Sequence, residues 1–175
     1  MHSQAMDYLR QALVIVGGSK NKEVFEIGSL NVNGGARDLC KDAMDYRGVD
    51  KIKGPGVDIV GAAREINQYP VIWKVSADIV ICTEVLEHDP EPAAILDCAA
   101  RCLKPGGYLI LTCASTGRKP HSAYGAEHPE PGEYYGNVSP EALHDMLSNE
   151  RWELIDISYL ANPGDMRCIA RRTDA

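Results

Sequence analysis

The feature that most limits this chain is the run Ala77-Asp78-Ile79-Val80-Ile81-Cys82-Thr83. A strand with one face in water alternates apolar and polar residues, whereas a strand buried on both faces reads as nearly continuous apolar sequence. This run is of the second kind, and such strands belong to parallel sheets covered by helices on both sides. The rest of the chain keeps the same alternation of strand and helix. Glu23-Val24-Phe25-Glu26-Ile27 reads as a first strand, followed by a polar, glycine-bearing turn from Gly28 to Gly35 and a short helix to about Tyr46. Arg47-Gly48-Val49 is a short second strand that ends on Asp50, Gly54-Pro55-Gly56 is a turn, and Val57 to Val60 is a third strand. A helix is predicted from about Glu91 to Leu103, because Ile95, Leu96, Ala99, Cys102 and Leu103 recur at helical spacing, with Asp89 as its cap. Lys104-Pro105-Gly106-Gly107 stops that helix before a fifth strand, Tyr108 to Cys113. Ser139-Pro140-Glu141 opens a further helix through Leu147, and Trp152 to Tyr159 and Met166 to Arg171 close the sheet. The short join Asn162-Pro163-Gly164-Asp165 fits a hairpin, so the last strand is expected to run antiparallel. The expectation is one α/β domain over residues 1–175, with a seven-stranded, mostly parallel sheet and helices on both faces.

Charge and cysteine usage narrow the class. The formal net charge is −7, which gives no general attraction to nucleic acid. No apolar run approaches a membrane span, and the start, Met1 to Asp7, lacks the basic-then-apolar pattern of a secretory signal, so a cytoplasmic protein is expected. The six cysteines form no C-x-x-C pair and sit in apolar or helical runs, as buried, reduced thiols do.

In open sheets of this kind, ligands bind beyond the carboxyl ends of the strands, where the strand order reverses. The loops after the first, second and fourth strands are the ones to read. After the first comes Glu26-Ile27-Gly28-Ser29-Leu30-Asn31-Val32-Asn33-Gly34-Gly35, where glycine permits a tight turn and a close approach of ligand to backbone. Alone, this is an ordinary strand-to-helix turn. Asp50 at the end of the second strand changes the balance, because a carboxylate there can accept both hydroxyls of a ribose.

At these residues the chain resembles the class I S-adenosylmethionine (SAM) dependent methyltransferases. The resemblance runs from about Val24 to Leu147. Glu26-Ile27-Gly28-Ser29 is similar to the family's acidic-x-Gly opening, Asp50 to its ribose-binding acid, and Asp78 to His88 to its fourth strand and following turn. Leu103-Lys104-Pro105-Gly106-Gly107-Tyr108-Leu109 is similar to its helix-to-strand turn, and no G-x-G-x-x-G of a nicotinamide enzyme is present. The resemblance implies a Rossmann-like fold, SAM as cofactor, and cofactor contacts from Glu26, Gly28, Ser29, Asn33, Asp50 and Glu84. Two departures stand out. Leu30 and Val32 occupy positions where glycines are usual, and Gly61-Ala62-Ala63 follow the third strand where many members carry an acid that holds the adenine.

Glu84, Glu87 and His88 form an E-x-x-E-H motif, and similar residues bind a divalent metal in small-RNA 2′-O-methyltransferases and ubiquinone-pathway O-methyltransferases. In metal-free relatives the same turn shapes the SAM pocket, and no metal is expected here. The aperiodic stretch 114–138 is expected to be the substrate-side loop, with His121 or His128 as a general base. The implied activity is methyl transfer to an oxygen or nitrogen of a small molecule. The alternatives are a metal-dependent O-methyltransferase using Glu84, Glu87 and His88, a SAM-binding partner subunit without activity of its own, and a nicotinamide-type Rossmann enzyme.

Overall fold

The computed structural model describes residues 2–68 and 76–173. Seven strands form one sheet in the order β3-β2-β1-β4-β5-β7-β6. They are β1 (Glu23–Ile27), β2 (Asp45–Asp50), β3 (Ile59–Val60), β4 (Ala77–Thr83), β5 (Leu103–Ala114), β6 (Trp152–Leu160) and β7 (Asp165–Arg172). Strands β1 to β5 pair in parallel, and β7 runs antiparallel to both β5 and β6, as the short join before it requires. Successive residues of a strand point to opposite faces, and the two faces are buried separately. Val24, Ile79, Ile81, Ile110 and Ile169 pack under helix α1 (Ser3–Ile15). Phe25, Val80, Cys82, Leu109 and Leu111 pack under α2 (Pro92–Cys102) and α3 (Pro140–Leu147). All six cysteines are buried and free.

Several local expectations need correction. The segment after the glycine turn forms only a 3-10 turn, Ala36–Leu39, and β2 begins at Asp45, so no helix reaches Tyr46. β3 is shorter than Val57 to Val60. Asp89 does not cap α2 as its N-cap residue: that position is Glu91, and Pro92 follows at the first turn. Helix α1 was not expected, although Ala5, Tyr8, Leu9, Ala12 and Leu13, all buried against the sheet, carry the helical spacing. Ser139 does cap α3, its hydroxyl accepting the Ala142 N–H at 3.1 Å.

Candidate functional site

The strand order reverses between β1 and β4, and a cleft of about 900 Å³ lies beyond the carboxyl ends there. Its wall includes Glu26, Gly28, Asn33, Asp50, Glu84 and His121 among the expected residues. Ser29 and His128 are not part of it. Ser29 is buried, its N–H donates to the Val49 carbonyl, and its side chain fills the space above Gly48, where a Cβ would stand 2.4 Å away. His128 is exposed and does not line the cleft.

Gly28 has φ +79°, a left-handed conformation that favours glycine. The space its missing side chain leaves is taken by Val85, whose Cγ2 would be 2.2 Å from an added Cβ. Glycine is thus required there by packing of the β1 turn on the β4 turn. Gly34, with φ +98°, is different, because a Cβ there would meet nothing within 4 Å. The large residues at 30 and 32 are accommodated by glycines elsewhere. An added Cβ at Gly54 would stand 2.4 Å from Leu30 Cδ1, and one at Gly125 would stand 2.8 Å from Val32 Cγ1. Bulk in the first loop is matched by absent side chains in the segments that dock on it.

Two acids face the cleft from the β1 and β2 ends. Asp50 accepts the Leu30 N–H on Oδ2 at 3.0 Å and the Ile52 N–H on Oδ1 at 3.1 Å, which leaves a lone-pair site on each oxygen. Burial pushes the Glu26 carboxyl up to about 7, against the opposing hydrogen bond from the Tyr46 hydroxyl at 2.7 Å. The next acid, Glu84, has φ 57°, unusual for a residue with a side chain. Its Oε1 accepts from Thr112 at 2.9 Å, and its Oε2 lies 3.4 Å from His2 Nε2 and 3.6 Å from Arg118. Burial raises the Glu84 carboxyl, but His2, Thr112 and Arg118 outweigh it and hold it low. His2 also contacts Asp165 at 3.0 Å, and with Glu84 this raises the imidazole to about 9. Sequence reading gave no role to His2 or Asp165, because the contacts that join them to this turn span most of the chain and leave no local pattern.

The long loop closes the opposite side. Ser122 donates to Glu133 Oε1 at 2.9 Å, and the Glu130 N–H donates to the other oxygen at 2.6 Å, which ties the lobe together. His88, His121 and Tyr135 stack edge to face, with centroids 5.0 to 5.5 Å apart. His121 Nδ1 lies 3.1 Å from the Lys119 carbonyl, a contact the ring makes as a donor. Burial and the neighbouring His121 lower His88 to about 4. Glu87, buried and with no side-chain donor on its carboxyl among the described residues, offers a ligand atom within 4.8 Å of others from His88 and His121. Glu84 does not join that group, so E-x-x-E-H is split between two clusters.

An open, mostly parallel sheet with a glycine turn and a strand-end acid on one cleft defines a nucleotide-binding type of α/β domain. The family model described as a methyltransferase domain matches residues 19–169, and the chain belongs to that family. A ubiquinone biosynthesis O-methyltransferase of Photorhabdus laumondii is 24% identical over 144 residues, covering 74% of this chain and 56% of the relative. The chain spans a little over half the length of the curated relatives it matches over most of its own length. Among solved structures, the fold is similar to that of Burkholderia thailandensis 1,6-didemethyltoxoflavin-N1-methyltransferase with bound 1,6-didemethyltoxoflavin and S-adenosylhomocysteine, with TM-score 0.71, 15% identity, and 98% of this chain and 79% of that one covered. It is also similar to the N-methyltransferase NodS of Bradyrhizobium japonicum in complex with S-adenosylhomocysteine, with TM-score 0.64, 18% identity, and 97% and 85% covered. Among the described residues, no helix is long and apolar enough to cross a membrane.

Proposed function

We propose that residues 1–175 act as one SAM-dependent methyltransferase domain on an oxygen or nitrogen of a small molecule, in the reducing setting of the cytoplasm. The observation that carries this reading is one cleft with a ribose-type acid at one end and a histidine–tyrosine loop at the other. Its volume suits a cofactor and a small acceptor together. Bound SAM supplies a methyl group already activated by its sulfonium charge. The chain then has to bind, orient and exclude water. The free lone-pair sites of Asp50 would take the ribose hydroxyls, and ionised Glu26 would pair with the ammonium of the methionine part. Gly34 and Asn33 leave room for that part to lie against the loop. His121 Nε2 would take the proton of an acceptor that must lose one.

The test is transfer of a labelled methyl group from SAM to a mixed pool of hydroxylated and amine acceptors. Tight SAM binding with no transfer to any pool would favour the partner-subunit alternative. A second reading, a metal-dependent O-methyltransferase, is favoured by one observation, the proximity of Glu87, His88 and His121. It would hold if activity vanished with chelator and returned with magnesium or manganese. We expect transfer to continue with chelator present.

A further inference from the structure

Val32 and Gly125 belong to opposite walls of the cleft, the first to the loop after β1 and the second to the long loop. The two walls nevertheless meet. A Cβ at Gly125 would stand 2.8 Å from Val32 Cγ1, so the valine methyl lies directly against the glycine backbone. Both residues line the cleft and both are exposed, Val32 by 38%, so they touch at its rim and not in its floor. A contact between opposite walls at the rim roofs the space beneath it.

The part of the long loop that reaches Val32 is tied to itself. The Ser122 N–H donates to the Ala126 carbonyl at 3.2 Å, and the Tyr124 N–H donates to the Ser122 hydroxyl at 3.0 Å. Ser122 and the Glu130 N–H both donate to Glu133. These bonds all lie within residues 122–133, so the turn can move as one body without breaking them. Tyr124, next to Gly125, also lines the cleft, and burial, then the Asp50 and Glu133 carboxylates, push its hydroxyl up. The turn thus reaches from the loop's own acid toward the strand-end acid, across the space where a nucleoside on Asp50 would lie.

Resting on the SAM reading, we infer that residues 122–126 form a strap over the nucleoside end of the cleft, latched by Val32 against Gly125, and that this contact parts for the cofactor to enter and its product to leave. The alternative is a fixed wall, in which the contact only packs one loop on the other. The two differ in kinetics. A ligand that enters only the open form binds at a rate proportional to the open fraction, and a ligand under a closed strap leaves at a rate set by that same fraction. Loosening the latch therefore raises both rates together and leaves affinity nearly constant. Loss of an ordinary ligand contact acts on dissociation instead.

The experiment measures association and dissociation of S-adenosylhomocysteine on the immobilised full chain by surface plasmon resonance. Val32→Ala removes the methyl groups that touch Gly125, and should raise both rates about fivefold or more with Kd within about twofold. Gly125→Ala, strained at φ +93° and overlapping Val32, should do the same. The two substitutions break one contact, so the double variant should stay within about twofold of either single one. If Gly125→Ala proves unfolded by circular dichroism, Val32→Ala, a truncation at the exposed rim, still decides. Unchanged rates in Val32→Ala, a rise in dissociation alone, or effects that multiply in the double variant would overturn the inference and leave the SAM reading standing. Wild type that does not bind S-adenosylhomocysteine would remove both.

Discussion

The two ends of the cleft are built differently. At the strand end, Gly28 and Glu84 sit directly after β1 and β4 and Asp50 closes β2, and the main chain there is held by the sheet: the N–H groups of Gly28 and Ser29 both donate to the Val49 carbonyl. At the loop end, His121, Tyr124 and Tyr134 come from one long loop that makes its own support through Ser122 and Glu133. The sheet fixes the first end to the resolution of a hydrogen-bond register. The second is set by a few side-chain contacts and is free to vary with the acceptor. Substitutions should therefore separate into those that change cofactor affinity and those that change turnover.

The largest effect belongs to Asp50→Ala. Each lost charge-assisted hydrogen bond to ribose costs about 1.5–3 kcal/mol, so calorimetry should show affinity for S-adenosylhomocysteine falling by two orders of magnitude or more. Asp50→Asn keeps one acceptor oxygen and should lose less. Unchanged affinity in a folded Asp50→Ala protein would move the ribose elsewhere.

At the other end, His121→Gln should lower kcat by about 10²-fold or more for an acceptor that must lose a proton, with cofactor affinity unchanged. His128→Gln, exposed and outside the cleft lining, should leave both constants within about twofold. Equal losses in the two variants would dissolve the contrast between the loop's two histidines.

Gly28→Ala should act on stability. An alanine in the left-handed region costs about 1–2 kcal/mol. The overlap with Val85 adds about 1–3 kcal/mol. Urea unfolding should show a combined loss of about 2–5 kcal/mol, and Val85→Ala in the same chain should return the overlap part. A Gly28→Ala protein of normal stability that fails to bind cofactor would instead show that the ligand passes directly over this turn.

A smaller effect separates Glu26 from Asp50. In the proposed site a cationic ammonium would pair with the ionised form of Glu26, whose carboxyl is raised by burial to about 7. SAM affinity should be flat above pH 7 and fall by up to about tenfold per unit below it. The unliganded protein has the opposite slope. Its folded state holds a proton that the unfolded chain releases near 4.5, so stability should decline as pH rises from there through about 7. Glu26→Gln should flatten both profiles, as titration calorimetry and thermal melts across pH 5–8 would show.

The same contrast decides what the sequence could reveal. β1, β4 and the β6–β7 hairpin were legible because burial on both faces and a short hairpin join leave local patterns. The places of Gly28 and Asp50 on the cleft wall were legible because one directly follows a strand and the other ends one. Ser29 was misread: its position in the motif is right, but the register that turns it behind Gly48 is a tertiary fact. Helix α1 had its pattern in Ala5, Tyr8, Leu9, Ala12 and Leu13 and was still missed. His2 and Asp165 had no local signal, since what brings them to Glu84 is the folding of α1 and β7 against β5. An acid before a proline-led helix is a common capping pattern, which is why Asp89 reads as a cap, whereas its partners, Lys51 and Arg64, lie in the segments after β2 and β3.

If the strand-end half of the cleft is a SAM site, binding to the wild-type chain shows it most directly. Calorimetry should show S-adenosylhomocysteine and SAM binding with one site per chain and raising the melting temperature, with nicotinamide dinucleotides doing neither. Binding of a nicotinamide dinucleotide with no response to either SAM ligand would contradict the account.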